Sequence, residues 1–202
     1  MATPDGVFAA TERDTDEDGS LLKMLRFDTG SSSASLSAVA EWDLTGDLPD
    51  VDDNGGFEGI TWVPDAFLTA GGFRDDHTKA PYDPATYAGH GTGGFTRVAT
   101  IASGFPKVME LEFDPETGSL WSVCDDTCDG KSATLKIVDG KFTVSATYAR
   151  PSQMSDYNNE GFAIAPPSTC AGGRKAVVWA DDSADGGHAL RAGTLPCGGN
   201  RT

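Results

Sequence analysis

At 202 residues the chain is long enough to fold as one domain around a sizeable core. Its formal net charge of −16 and pI near 4.3 argue against nucleic acid, whose phosphates such a surface repels, and suit cations or a soluble extracellular surface. No apolar run reaches the length of a membrane span, while 25 glycines, 11 prolines and no long helical periodicity predict short strands joined by turns.

In chain order, VFAATERD, LLKMLRFD and SLSAVAEWDL read as three successive strands. The opening residues lack the basic and apolar segments of a signal peptide and run straight into strand-like sequence, as in a processed fragment. After the Gly/Asp-rich loop GDLPDVDDNGG, FEGITWV and AFLTAGG are expected to form the next pair of strands. The long polar loop YDPATYAGHGTGG leads to FTRVATI. A complete set follows: VMELEF, SLWSVC, ATLKIV and FTVSATY, joined by turns such as DPETG and VDGK. EGFAIAP, KAVVWAD and HALRAGTL close the series.

Three of these segments share a signature. Glu58, Glu110 and Glu160 lie in FEGITWVP, VMELEFDP and EGFAIAPP at intervals of 52 and 50 residues. That period suits one four-stranded propeller blade and is long for a helical or leucine-rich repeat. The predicted fold is therefore all-β. It is a single β-propeller domain over 1–202 with about four blades' worth of sequence, in pieces near 5–45, 55–101, 107–149 and 159–196. Because the chain opens in the middle of a blade, it reads as a segment or shortened form of a larger propeller. Missing blades or a second copy are then needed to complete the ring.

In such a fold the start of each innermost strand and the end of the next lie at the same edge. Glu58, Glu110 and Glu160 mark the first position; Glu12, Asp125 and Asp181 mark the second. Six carboxylates around one mouth repel unless protonated, paired or neutralised by a cation. Hard oxygen donors at that density suit Ca²⁺ or Mg²⁺, with Asn54, Asn158 and Asn159 as neutral ligands or ligand-binding amides. The competing reading has these groups holding loop amides. Alternation sets Glu110 and Glu112 opposite Met109, Leu111 and Phe113.

Arg13 suits an anionic ligand or the neutralisation of the ring. His90, set among glycines, is the candidate general base or metal ligand. Neither G-x-S-x-G nor a phosphate-binding GK[ST] loop occurs. Locality pairs Cys124 with Cys128 and Cys170 with Cys197, although four cysteines allow three pairings and zinc is a competing use. Disulfides imply an oxidising, secreted setting.

The segments TERD, EWDLTGDLP through NGGFEGITWVPDAFL, YDPATYAGHG, VMELEFDPETGSLWSVCDDTCDG, NNEGFAIAP, WADDS and HALRAGTLPC resemble the phytase-like, esterase-like β-propeller domains of secreted bacterial proteins. The resemblance covers most of the chain. It implies Glu12, Glu58 and Glu160 at the channel mouth, and a parent longer than this chain. Its name implies phosphoester or carboxylic ester hydrolysis, with a bound ion polarising the substrate and activating water. After His90 the pattern departs: the family continues into another strand pair, whereas this chain passes to FTRVATI. Two functions follow as expectations. One is a calcium-stabilised secreted propeller that binds a cation or small polar ligand at its acidic mouth; the other is a metal-dependent hydrolase. Neither involves nucleic acid or membrane insertion.

Overall fold

A computed structural model describes residues 1–3, 6–11, 13–14, 19–30, 35–47, 56–87 and 95–197. The chain divides into two compact units, one of residues 1–69 and 74–100, the other of residues 70–73 and 101–202. Both are built from antiparallel strands, so the all-β class expected from the turn-rich sequence is observed.

In the first unit β1 (Ala2–Thr3), β2 (Gly6–Ala10), β5 (Lys23–Phe27) and β6 (Ala38–Asp43) form one sheet in that order. Two short ladders accompany it. The first joins β3 (Arg13–Asp14) to β4 (Gly19–Ser20), and the second joins β7 (Arg74–Asp75) to β8 (Ala80–Pro81). Leu22, Met24 and Leu44 are buried along this sheet, and Trp42 stacks on Phe8 and meets the edge of Phe95 at 5.2 Å.

Three expected strands are absent here among the described residues. Within 66–72, residues 66–70 belong instead to a helix, α1 (Asp65–Ala70), and 71–72 to the turn after it. The Pro64 carbonyl accepts from the Phe67 and Leu68 N–H groups, and Gly72 follows the last turn with φ of +66°. Pro-Asp before and Gly-Gly after an Ala/Leu/Phe stretch are helix boundaries, and six residues bounded this way outweigh a weak strand pattern. Residues 57–63 and 95–101 belong to no strand ladder, although the Asp76 N–H donates to the Val98 carbonyl.

The second unit follows the sequence reading closely. β9 (Glu110–Asp114), β10 (Ser119–Val123), β11 (Ser132–Val138) and β12 (Lys141–Tyr148) make an up-and-down sheet. β13 (Asn159–Ile164), β14 (Arg174–Asp181) and β15 (Leu190–Pro196) make a second. The β11–β12 hairpin turns at Asp139 and Gly140, both with positive φ (50° and 81°). An Asp-Gly pair tolerates that conformation and matches the twist of the flanking strands.

Strand parity decides what faces what. On β14, Lys175, Val177, Trp179 and Asp181 share a face, and the register adds Phe162 and Ile164 from β13 and Arg191, Gly193 and Leu195 from β15. Val123, Phe162, Val177 and Trp179 form the packed cluster between the two sheets, with Trp121, Met154, Ile164 and Leu195 against it. Each large side chain buried there contributes roughly 1.5–3 kcal/mol.

Candidate functional site

The strand ends of the second unit concentrate the residues with chemistry. Glu110 opens β9 and accepts a hydrogen bond from the Leu111 N–H at 2.9 Å. Asp125 follows β10 and is buried; it caps the turn 126–128, accepting from the Thr127 N–H at 2.9 Å and from the Thr127 hydroxyl. Asp-x-Thr at the entrance to a tight turn favours that cap locally. The same turn carries the Cys124–Cys128 bridge, whose Cα atoms are 6.1 Å apart.

At the head of the second sheet, Asn158 Nδ2 donates to Glu160 Oε1 at 2.9 Å and to Asp182 Oδ2 at 3.0 Å. Asn159 pairs with Asp181 across β13 and β14. Asp181 is buried and ion-paired through Oδ2 to Arg191 Nη1 at 2.9 Å, while its Oδ1 accepts from Ser183. The Arg191 guanidinium lies 3.6 Å from the centre of the Tyr157 ring, so the charge that neutralises Asp181 is itself held by an aromatic face. Asn159 is only 2% exposed. Its Nδ2 donates to the Tyr157 carbonyl, but its buried Oδ1 has no donor among the described residues. An enclosed amide oxygen without a partner costs about 1–3 kcal/mol, and among the described residues it is the one buried side-chain oxygen left open.

Glu110, Asp125, Asn158, Asn159, Glu160 and Asp181 thus lie at strand heads and strand ends of one unit. Glu58 belongs to the other unit and also has an interaction partner. Glu12, Asn54 and His90 fall outside the described residues; of Arg13 only its backbone pairing with Ser20 is described. Among the described residues no three carboxylates or imidazoles converge. The single metal-type cluster is Cys124, Asp125 and Cys128, in which the two sulfurs are already bonded to each other. A disulfide offers no thiolate, which removes the zinc reading at this turn. Cys170 and Cys197 are likewise bridged, with Cα atoms 6.0 Å apart, so both expected pairings are present.

No protein-family profile, curated protein or solved structure matches this chain. The strongest electrostatic feature in the second unit was missed by the sequence reading: Lys175, 1% exposed, donates to Asp114 Oδ1 at 2.7 Å and to Glu116 Oε2 at 2.9 Å. Burial by itself lowers the lysine pKa, but the two carboxylates outweigh it and raise the value, keeping the ammonium charged. A signal existed in the sequence, because Lys175 shares strand parity with Val177 and Trp179 and so had to enter the interior with a partner. Glu112, on the facing sheet, also has a raised pKa, but there burial is the cause, working against a hydrogen bond from the Ile164 backbone, and the neutral form is favoured.

In the first unit Asp75 organises the segment 74–87. It is 1% exposed and accepts from the His77 N–H at 2.7 Å, the Thr78 N–H at 3.1 Å and the Tyr87 hydroxyl. Tyr82 stacks on Tyr87 and donates to Asp65 at the head of α1. These are cap and turn bonds that fold a loop, with no nucleophile or base among them.

Proposed function

We propose that the chain is a secreted, disulfide-bonded β-propeller that binds a cation or small polar ligand at the strand-head edge of its second unit. Calcium is the ion whose chemistry suits the donor types there. The observation that carries this reading is the enclosed Asn159 Oδ1 with no donor, beside the Asn158–Glu160–Asp182 network. An amide oxygen that no N–H satisfies is a ready ligand for a hard ion, and Glu160 adds charge of the right sign. Antiparallel sheets of four and three strands agree with successive blades. The two disulfides agree with an oxidising compartment.

The binding function is preferred to ester hydrolysis because the buried lysine of this unit, a group suited to holding a phosphate, is engaged by Asp114 and Glu116. Calorimetric titration of chelator-treated protein with calcium tests the reading. A Kd of about 0.1–1 mM, typical of extracellular modules, is expected, with loss of binding in Glu160→Gln. Absence of heat and of any rise in melting temperature at tenfold higher calcium would remove the cation from the account.

A further inference from the structure

The two sheets of the second unit meet at the cluster of Val123, Phe162, Val177 and Trp179 and leave a cleft of about 780 Å³ beside it, within the size range of small-molecule sites. One wall is the face of β10, β11 and β12; the other is the face of β13, β14 and β15. Aromatic rings line both. Trp121 stacks on Tyr148 with centroids 5.3 Å apart and touches Phe162, which in turn packs on Trp179 at 5.7 Å. The Trp179 ring lies across Gly193, where an added Cβ would sit 2.9 Å from Cζ3. A glycine at this position is what lets the indole lie flat beside the cleft instead of standing off the sheet.

Polar groups interrupt this apolar wall in a regular order. Strand pairing sets Lys136, Thr134 and Ser132 of β11 alongside Ser119, Trp121 and Val123 of β10. The Thr134 hydroxyl is taken by Ser145 at 3.0 Å. Ser119 and Ser132 are 3% and 8% exposed, and neither hydroxyl has a hydrogen-bond partner among the described residues. The Trp121 indole N–H also lacks an acceptor. The one carboxylate in the lining, Asp114, is already neutralised by Lys175. The cleft therefore offers aromatic surface, with the Tyr148 ring 46% exposed, together with the Ser119 and Ser132 hydroxyls, whereas the Trp121 N–H is enclosed in the wall.

We propose that this cleft is a carbohydrate site for one or two pyranose rings. A pyranose presents a flat C–H face that packs on Trp and Tyr rings, and an edge of hydroxyls that both accept from and donate to serine hydroxyls and a lysine. A purely apolar ligand would leave Ser119 and Ser132 unpaired. The site is separate from the strand-head cation edge and does not depend on it.

The test uses the whole chain and four disaccharides: maltose, cellobiose, lactose and N,N′-diacetylchitobiose. Saturation-transfer NMR should show at least one bound, with transfer strongest at the C–H protons of one ring face and unchanged by chelator. Tyr148 is 46% exposed, so Tyr148→Ala should fold normally and weaken that sugar about tenfold. Ser132→Ala should weaken it as well, whereas Trp62→Ala, in the first unit, should not. The proposal is overturned if none of the four binds. It is also overturned if binding survives both Tyr148→Ala and Ser132→Ala, or if 2-naphthol fills the cleft and no sugar displaces it.

Discussion

Lys175 shows how much one buried charge commits a sheet to its neighbour. Its ammonium connects β14 to the end of β9 and to the turn beyond it, so its loss strands Asp114, itself 3% exposed, without a counter-charge. Lys175→Ala should cost about 3–5 kcal/mol in urea unfolding. Joint replacement by Lys175→Met and Asp114→Leu should recover most of that, and equal losses in the single and double variants would refute the pairing argument. Its pKa is raised in the fold, so the stabilisation is complete below the ordinary lysine value and disappears as pH climbs through the folded value, on the alkaline side. Gly193 makes a second residue-scale case. Gly193→Ala should move the Trp179 ring, read as a change in near-ultraviolet circular dichroism, whereas Gly186→Ala meets no neighbour and should leave that signal alone.

At the scale of elements, the strands from Glu110 to Pro196 were legible because period-two alternation, Asp-Gly and Pro-Glu-Thr-Gly turns and β-branched residues all pointed the same way. α1 was not, since six residues supply less than two helical turns of periodicity and only its Pro-Asp and Gly-Gly borders mark it. The carboxylates at strand heads were found by their spacing. Their partners were hidden, because Arg191, Asn158 and Thr127 meet them through tertiary or turn geometry that no spacing encodes. The segment 74–87 carries its own signature. The hydrogen bond to Asp75 raises the Tyr87 pKa to about 12, and burial followed by the bond to Asp65 raises that of Tyr82 to about 12. Ultraviolet titration should show these two phenols ionising near pH 12, and Tyr82→Phe should remove one of them; both ionising near pH 10 would contradict the contacts. Burial tends to raise the Asp75 pKa, but its hydrogen bonds from Tyr87, Thr78 and His77 prevail and lower it. The stability Asp75 supplies is thus present above the usual carboxylate range and lost as pH falls through the depressed folded value.

For the molecule as a whole, sixteen uncompensated negative charges oppose compaction. Raising ionic strength from about 0.01 M to 0.15 M shortens the screening length from roughly 30 to 8 Å and should raise the melting temperature. A fall would show that local ion pairs such as Lys23–Glu41 outweigh the global repulsion. The two bridges should matter unequally, because they close loops of 27 and 4 residues. Loop entropy assigns about 3.5 kcal/mol to Cys170–Cys197 and about 2 kcal/mol to Cys124–Cys128. Serine replacement of each pair, followed by denaturant unfolding, checks the order. The longer bridge also spans the turn at 182–189, between β14 and β15, where 182–184 and 186–189 are exposed. A protease that cuts this turn cannot release the last strand: the nicked chain should migrate as a single species on a non-reducing gel and separate into two pieces only when a thiol is added.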